Sequence, residues 1–115
     1  MHYNLIVWKK SVQMAIALYN LTDTFPKHER YGLVSQINRA GVSVAANIAE
    51  GSARTSTRDY IKFLNISKAS LTELETLLII SEGIGYGDTD LFIIDHIIPI
   101  KKMLNKLEST LKNKL

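Results

Sequence analysis

The chain of 115 residues is 46% hydrophobic and 22% charged, a balance that suits one soluble globular domain and excludes a disordered tail or a low-complexity polymer. It has no cysteine, which removes disulfide scaffolds, thiol nucleophiles and cysteine-ligated zinc. The net charge of +3 hides an uneven distribution: residues 1–68 carry nine basic against four acidic residues, residues 69–100 carry six acids and no Lys or Arg, and residues 101–115 carry five Lys against one Glu.

Met1 to Asn4 has no basic stretch ahead of the first apolar run, so no signal peptide is expected, and no apolar run is long enough to span a membrane. A cytoplasmic setting follows as the expectation. Three clusters of turn residues, at 22–26, 51–56 and 83–90, divide the chain into four apolar segments within one expected domain over 1–115.

The first segment predicts a helix from about Leu5 to Leu21. Leu5, Trp8, Val12, Ala15 and Tyr19 form one stripe, with Val7, Met14, Leu18 and Leu21 beside it. The second predicts a helix over Lys27 to Glu50, with Pro26 at its first turn, where a missing N–H costs little. Its second half, from Ala40 to Gly51, is rich in small residues that let another helix come close, and Gly51 is expected as the left-handed residue that ends it. The third opens at Ser56-Thr57-Arg58-Asp59, which resembles a capping box, and is expected to end at Gly83.

The fourth starts near Asp88 or Thr89 and carries Ile94, Ile97, Ile100, Leu104, Leu107 and Leu111 down one side. Pro99 lies inside that pattern and should kink or loosen the helix. Leu91, Phe92, Ile93 and Ile98 fall off the main stripe, as further core positions or as subunit contacts. Short breaks join antiparallel neighbours, so the fold class expected is all-α, an up-down-up-down four-helix bundle.

Catalytic and cofactor signatures are missing: there is no G-x-S-x-G, no P-loop and no dinucleotide fingerprint, and Gly83 to Gly87 reads as a turn. None of His2, His28 and His96 follows an acid by three residues, as a di-iron bundle would need. No enzyme, metal or cofactor is therefore expected. Two polar lines stand out instead. Gln36, Arg39, Ser43, Asn47, Glu50 and Arg54 share a face of the second helix, and Arg58, Lys62, Asn65, Lys68, Thr72 and Glu75 share a face of the third. They read either as solvated faces with i,i+4 pairs such as Glu50 and Arg54, or as a basic surface on which Lys9, Lys10, Arg30, Arg39, Arg54, Arg58, Lys62 and Lys68 contact phosphates. The acidic segment 69–100 should repel phosphate and confine such binding to one face or rim.

Three spaced motifs carry a family resemblance: F-P-x-x-E-x-Y-G-L at Phe25–Leu33, R-A-x-x-S-x-x-x-N-I-A-E-G at Arg39–Gly51 and S-L-x-E-L-E-T at Ser70–Thr76. In these the chain resembles the four-helix-bundle proteins encoded in 23S ribosomal RNA intervening sequences, a group related to the accessory variability proteins of diversity-generating retroelements. The resemblance implies a bundle fold and a homo-oligomer, a barrel-like pentamer. It also implies association with RNA or DNA, or a role as adaptor for a partner enzyme such as a reverse transcriptase. It marks Arg39, Asn47, Glu50 and Glu73 as motif residues, for a structural or a functional reason.

Overall fold

A computed structural model describes residues 5–115; His2 lies outside the described residues. Helix α1 spans Ile6–Thr22, α2 Leu33–Ser52 and α3 Thr57–Ile84. Helix α4, over 90–112, is built from an opening turn Asp90–Phe92, a wider π turn Ile93–Ile97 and a regular segment Ile98–Lys112. Residue pairings make each neighbour antiparallel. Thr22 and Leu18 of α1 meet Asn38 and Gly41 of α2. Ser43 and Gly51 of α2 meet Ser70 and Tyr60 of α3. Leu78 and Lys68 of α3 meet Thr89 and Glu108 at the two ends of α4. Leu5 and Val7 lie beside Leu107 and Thr110, which closes the square between α1 and α4.

The core follows the helical period. Val7, Met14 and Leu18 of α1 face Ile37, Val44 and Ile48 of α2, Leu64, Leu71, Leu74 and Leu78 of α3, and Ile97, Ile100 and Leu104 of α4. Ser11 and Thr22 share the α1 stripe because each hydroxyl donates to the carbonyl four residues earlier, Val7 and Leu18, which removes the cost of burying it. Tyr19, expected on the apolar stripe, is exposed instead.

Several element ends differ from the sequence expectation. Lys27–Glu29 is a separate 3-10 turn after Pro26, and α2 begins only at Leu33, whose N–H donates to Glu29 Oε1 at 3.3 Å. Gly51 is not a left-handed stop. It lies inside α2, where a Cβ would stand 2.9 Å from Phe63 Cβ and 3.2 Å from the Tyr60 carbonyl, so the missing side chain lets α3 pass close by. Helix α3 runs past Gly83 and ends at Gly85, with φ of 100°. There the N–H groups of Gly85 and Tyr86 donate back to the Glu82 and Ser81 carbonyls. Thr89 stands at the N-cap of α4, while Asp88 Oδ1 accepts the Asp90 N–H at 2.9 Å. Pro99 cannot donate to the Asp95 carbonyl, and the chain widens into the π turn directly upstream. Within that turn Ile94 is exposed rather than buried.

Candidate nucleic-acid interface

The antiparallel topology sorts charge along the 46 Å length of the bundle. The start of α1, the α2–α3 turn and the end of α4 share one end. That end collects Lys9, Lys10, Arg54, Arg58 and Lys62, which the sequence singled out, together with Lys106, Lys112 and Lys114. The opposite end carries Glu29, Glu82, Asp88 and Asp90. Lys106, Lys112 and Lys114 are legible in the sequence only as a basic tail; that they share the half of the bundle that carries Arg58 follows from the antiparallel order of α3 and α4.

Arg58 and Lys62 are exposed, stand one turn apart on α3, and line a groove of about 550 Å³ with Ile61, Asn65, Ile66 and Ala69. Neither forms an ion pair among the described residues. Two like charges at i,i+4 weaken a helix, and a cation in a helix's first turn opposes the macrodipole. Arg54 is less free: it lies 3.7 Å from Glu50 and its guanidinium sits 4.7 Å from the centre of the Phe63 ring.

The other predicted cations fall elsewhere. Lys68 pairs with Glu108, whose second oxygen lies 3.5 Å from Lys112. The Lys68 hydrogen bond holds the buried Glu108 carboxyl below its ordinary range, against burial, which pushes it up. Arg30 covers the exposed Tyr31 ring at the acidic end, 5.6 Å from its centre. Arg39 lines a polar cleft of about 280 Å³ between α2 and α3 with Gln36, Ser43, Ser70 and Glu73. Asn47 Nδ2 donates to the Ser43 carbonyl at 2.9 Å, and Ser43 Oγ meets Ser70 Oγ at 2.9 Å, so Asn47 does structural work at this seam. Glu50 is engaged with Arg54, and Glu73 is exposed.

Sequence reasoning missed three features. Asn38 is only 9% exposed and gives its Nδ2 to Thr22 Oγ1, while its Oδ1 accepts nothing among the described residues. Tyr86 donates to Glu29 Oε2 at 2.7 Å and packs its ring at a 48° tilt against Phe25, tying the α3–α4 turn to the α1–α2 turn. That bond pulls the Glu29 carboxyl down and pushes the Tyr86 hydroxyl up. Glu82, Asp88 and Asp90 bring carboxylate oxygens within 4.8 Å of one another, but Glu82 already accepts the Thr89 N–H and Asp88 the Asp90 N–H, which is helix-capping work. His28 lies against Tyr86, and His96 is half-buried on Phe92, where burial lowers its basicity.

Fold and surface together define an all-α four-helix bundle with opposite charge at its two ends and, among the described residues, no helix long and apolar enough to cross a membrane. Residues 3–106 match the family profile described as 23S rRNA-intervening sequence protein, and the chain belongs to that family. No curated protein matches significantly. A crystal structure from Bacteroides thetaiotaomicron, described as a protein with unknown function from the S23 ribosomal protein family, superposes with a TM-score of 0.80. It is 27% identical and covers 90% of this chain and 98% of its own.

Proposed function

We propose that this protein is a non-catalytic, homo-oligomeric binding module that associates with nucleic acid, RNA in the first instance, through the basic end of its bundle. The observation that carries the reading is the couple Arg58 and Lys62, which form no ion pair among the described residues, at the end of the bundle that also carries Lys9, Lys10, Lys106 and Lys114. Phosphate contacts of this kind position a strand without reading its sequence, so binding is expected to be sequence-tolerant. An oligomer repeats the basic end, which raises avidity without new contacts. The number five comes from the family resemblance alone. The expected setting is the cytoplasm, with no cofactor.

Gel shifts with single-stranded RNA and DNA at low salt test the reading. A shift with the native chain and its loss in Arg58→Ala/Lys62→Ala is the expected result. If neither nucleic acid shifts at micromolar protein, the adaptor reading, in which a partner enzyme is the ligand, replaces it.

A further inference from the structure

Arg39 of α2 and Glu73 of α3 line the same polar cleft of about 280 Å³, with Gln36 on the Arg39 side. Ser43 and Ser70 lie between them, their hydroxyls already joined at 2.9 Å. Arg39 and Glu73 are exposed and opposite in charge, yet neither forms an ion pair among the described residues. The cleft therefore offers a fork of N–H donors from one helix and a pair of acceptor oxygens from the other.

The cleft also lies at the end of a track. Arg58, Lys62, Ile66, Ala69 and Glu73 recur at steps of 4, 4, 3 and 4, so they share one stripe of α3. The groove that holds Arg58 and Lys62 reaches Ala69, and Glu73 stands one turn further on. Arg58 to Glu73 is about 22 Å of helix, the length of about six stacked nucleotides. A phosphate beside Glu73 would be repelled, so a strand on this track gains there only by turning the donor edge of a base toward the carboxylate.

We propose that the cleft takes one unpaired guanine of the bound strand, with Arg39 donating to O6 and N7 and Glu73 accepting from N1–H and the 2-amino group. Guanine carries two adjacent acceptors followed around its rim by two adjacent donor groups, and an arginine fork on O6 and N7 is a common specific contact to a base. Cytosine and adenine each give the carboxylate a single amino group, and uracil gives it a single N3–H between two acceptors. Guanine alone satisfies both side chains with two bonds each. Single-stranded RNA is read in this way, through splayed-out bases bonded on their edges. The cations of the basic end hold any strand, and the cleft adds a preference for one base. This inference rests on the RNA reading above and names the base that the same surface favours.

Fluorescence anisotropy with labelled oligouridine, and with the same strand carrying guanosine, inosine, cytidine or adenosine at intervals, tests it. The native chain should bind the guanosine strand about fivefold or more tighter than oligouridine, the lower end for one bidentate pair. Inosine, which lacks the 2-amino group, should lose part of that gain. Glu73→Gln should bring the guanosine strand to the oligouridine level without weakening oligouridine binding. Arg39→Gln should weaken the guanosine strand more than oligouridine, and circular dichroism checks that both variants keep their helix content. Arg58→Ala/Lys62→Ala should weaken all strands and keep their ratio. A native chain that binds none of the strands overturns the RNA reading and this one together. Equal affinity for all strands, or a preference for another base, keeps the RNA reading and overturns the guanine cleft. A guanosine preference that survives Glu73→Gln overturns it too, as does an Arg39→Gln variant that weakens all strands alike, the mark of a plain phosphate contact.

Discussion

Gly51→Ala and Gly83→Ala should shift stability in opposite directions, although both place the same methyl group near the C-terminal end of a helix. In a helix, Ala is favoured over Gly by about 1 kcal/mol, less toward the frayed end. At Gly83 a Cβ meets nothing within 4 Å, so that gain is expected in full, roughly 0.5–1 kcal/mol. At Gly51 the new Cβ would stand 2.9 Å from Phe63 Cβ, 3.0 Å from Tyr60 Cδ1 and 3.2 Å from the Tyr60 carbonyl. Two of these atoms move only with the α3 backbone, so α2 and α3 must separate along a seam packed with Ala40, Ser43, Ser67 and Ser70. Overpacking of this kind costs about 1–3 kcal/mol. The propensity gain is common to both sites and cancels in the comparison, which leaves Gly51→Ala about 1–3 kcal/mol below Gly83→Ala. Urea unfolding at one fixed protein concentration reads this as a separation of midpoints with unchanged m. Equal midpoints for the two variants would refute the close α2–α3 crossing.

Three further outcomes follow from side-chain pairing. Glu108→Gln should lower stability at pH 7 by about 1–3 kcal/mol, because a buried carboxylate bonded to Lys68 is replaced by a neutral amide. The folded Glu108 pKa is depressed below 4.5, so this contribution is present above the unfolded value and is lost as pH falls through the folded one. The gap between native chain and variant, followed by urea unfolding, should therefore close below about pH 4.5; a gap independent of pH would show that the pair contributes nothing. Tyr86→Phe removes the hydrogen bond to Glu29 and should move the Glu29 carboxyl titration, followed by NMR, upward toward its ordinary value. Asn38→Leu should leave Thr22 Oγ1 without its Asn38 donor but also remove the unmet Oδ1, so its cost in thermal unfolding should be smaller than that of Thr22→Val, which strands the Asn38 amide as well.

Helical periodicity made the four helices and most of the core readable, because Val7, Met14 and Leu18 or Ile97, Ile100 and Leu104 can share a face only in a helix. The ends were harder. Gly51 and Gly85 are the same residue used for unlike reasons, close approach in one case and a φ of 100° in the other, and composition does not separate the two. Three glycines in five residues likewise hid which one stops α3. Pro26 suits a helix start, yet Glu29 and Gly32 hold a separate turn before α2. The cations of the candidate interface were visible one by one. Their grouping was not, because Lys68 finds Glu108 forty residues away and the α4 tail reaches the same end as Arg58 only through the bundle. The Asn38 orphan had no signal in sequence at all: an Asn on an apolar helix face reads the same whether its carbonyl is met or unmet.

The proposal that the basic end grips a phosphate backbone is tested most directly by the salt dependence of RNA affinity. Fluorescence anisotropy with a labelled single-stranded RNA, across a salt series, gives the slope of log affinity against log salt for the native chain and for Arg58→Ala/Lys62→Ala. Each neutralised phosphate contributes about −0.7 to that slope on a single strand, so losing two contacts per bound copy should flatten it by about 1.4 while helix content stays unchanged. Arg54→Ala, already paired with Glu50, should flatten it less. Parallel slopes for the native chain and the double variant would contradict the account, as would RNA affinity indifferent to salt.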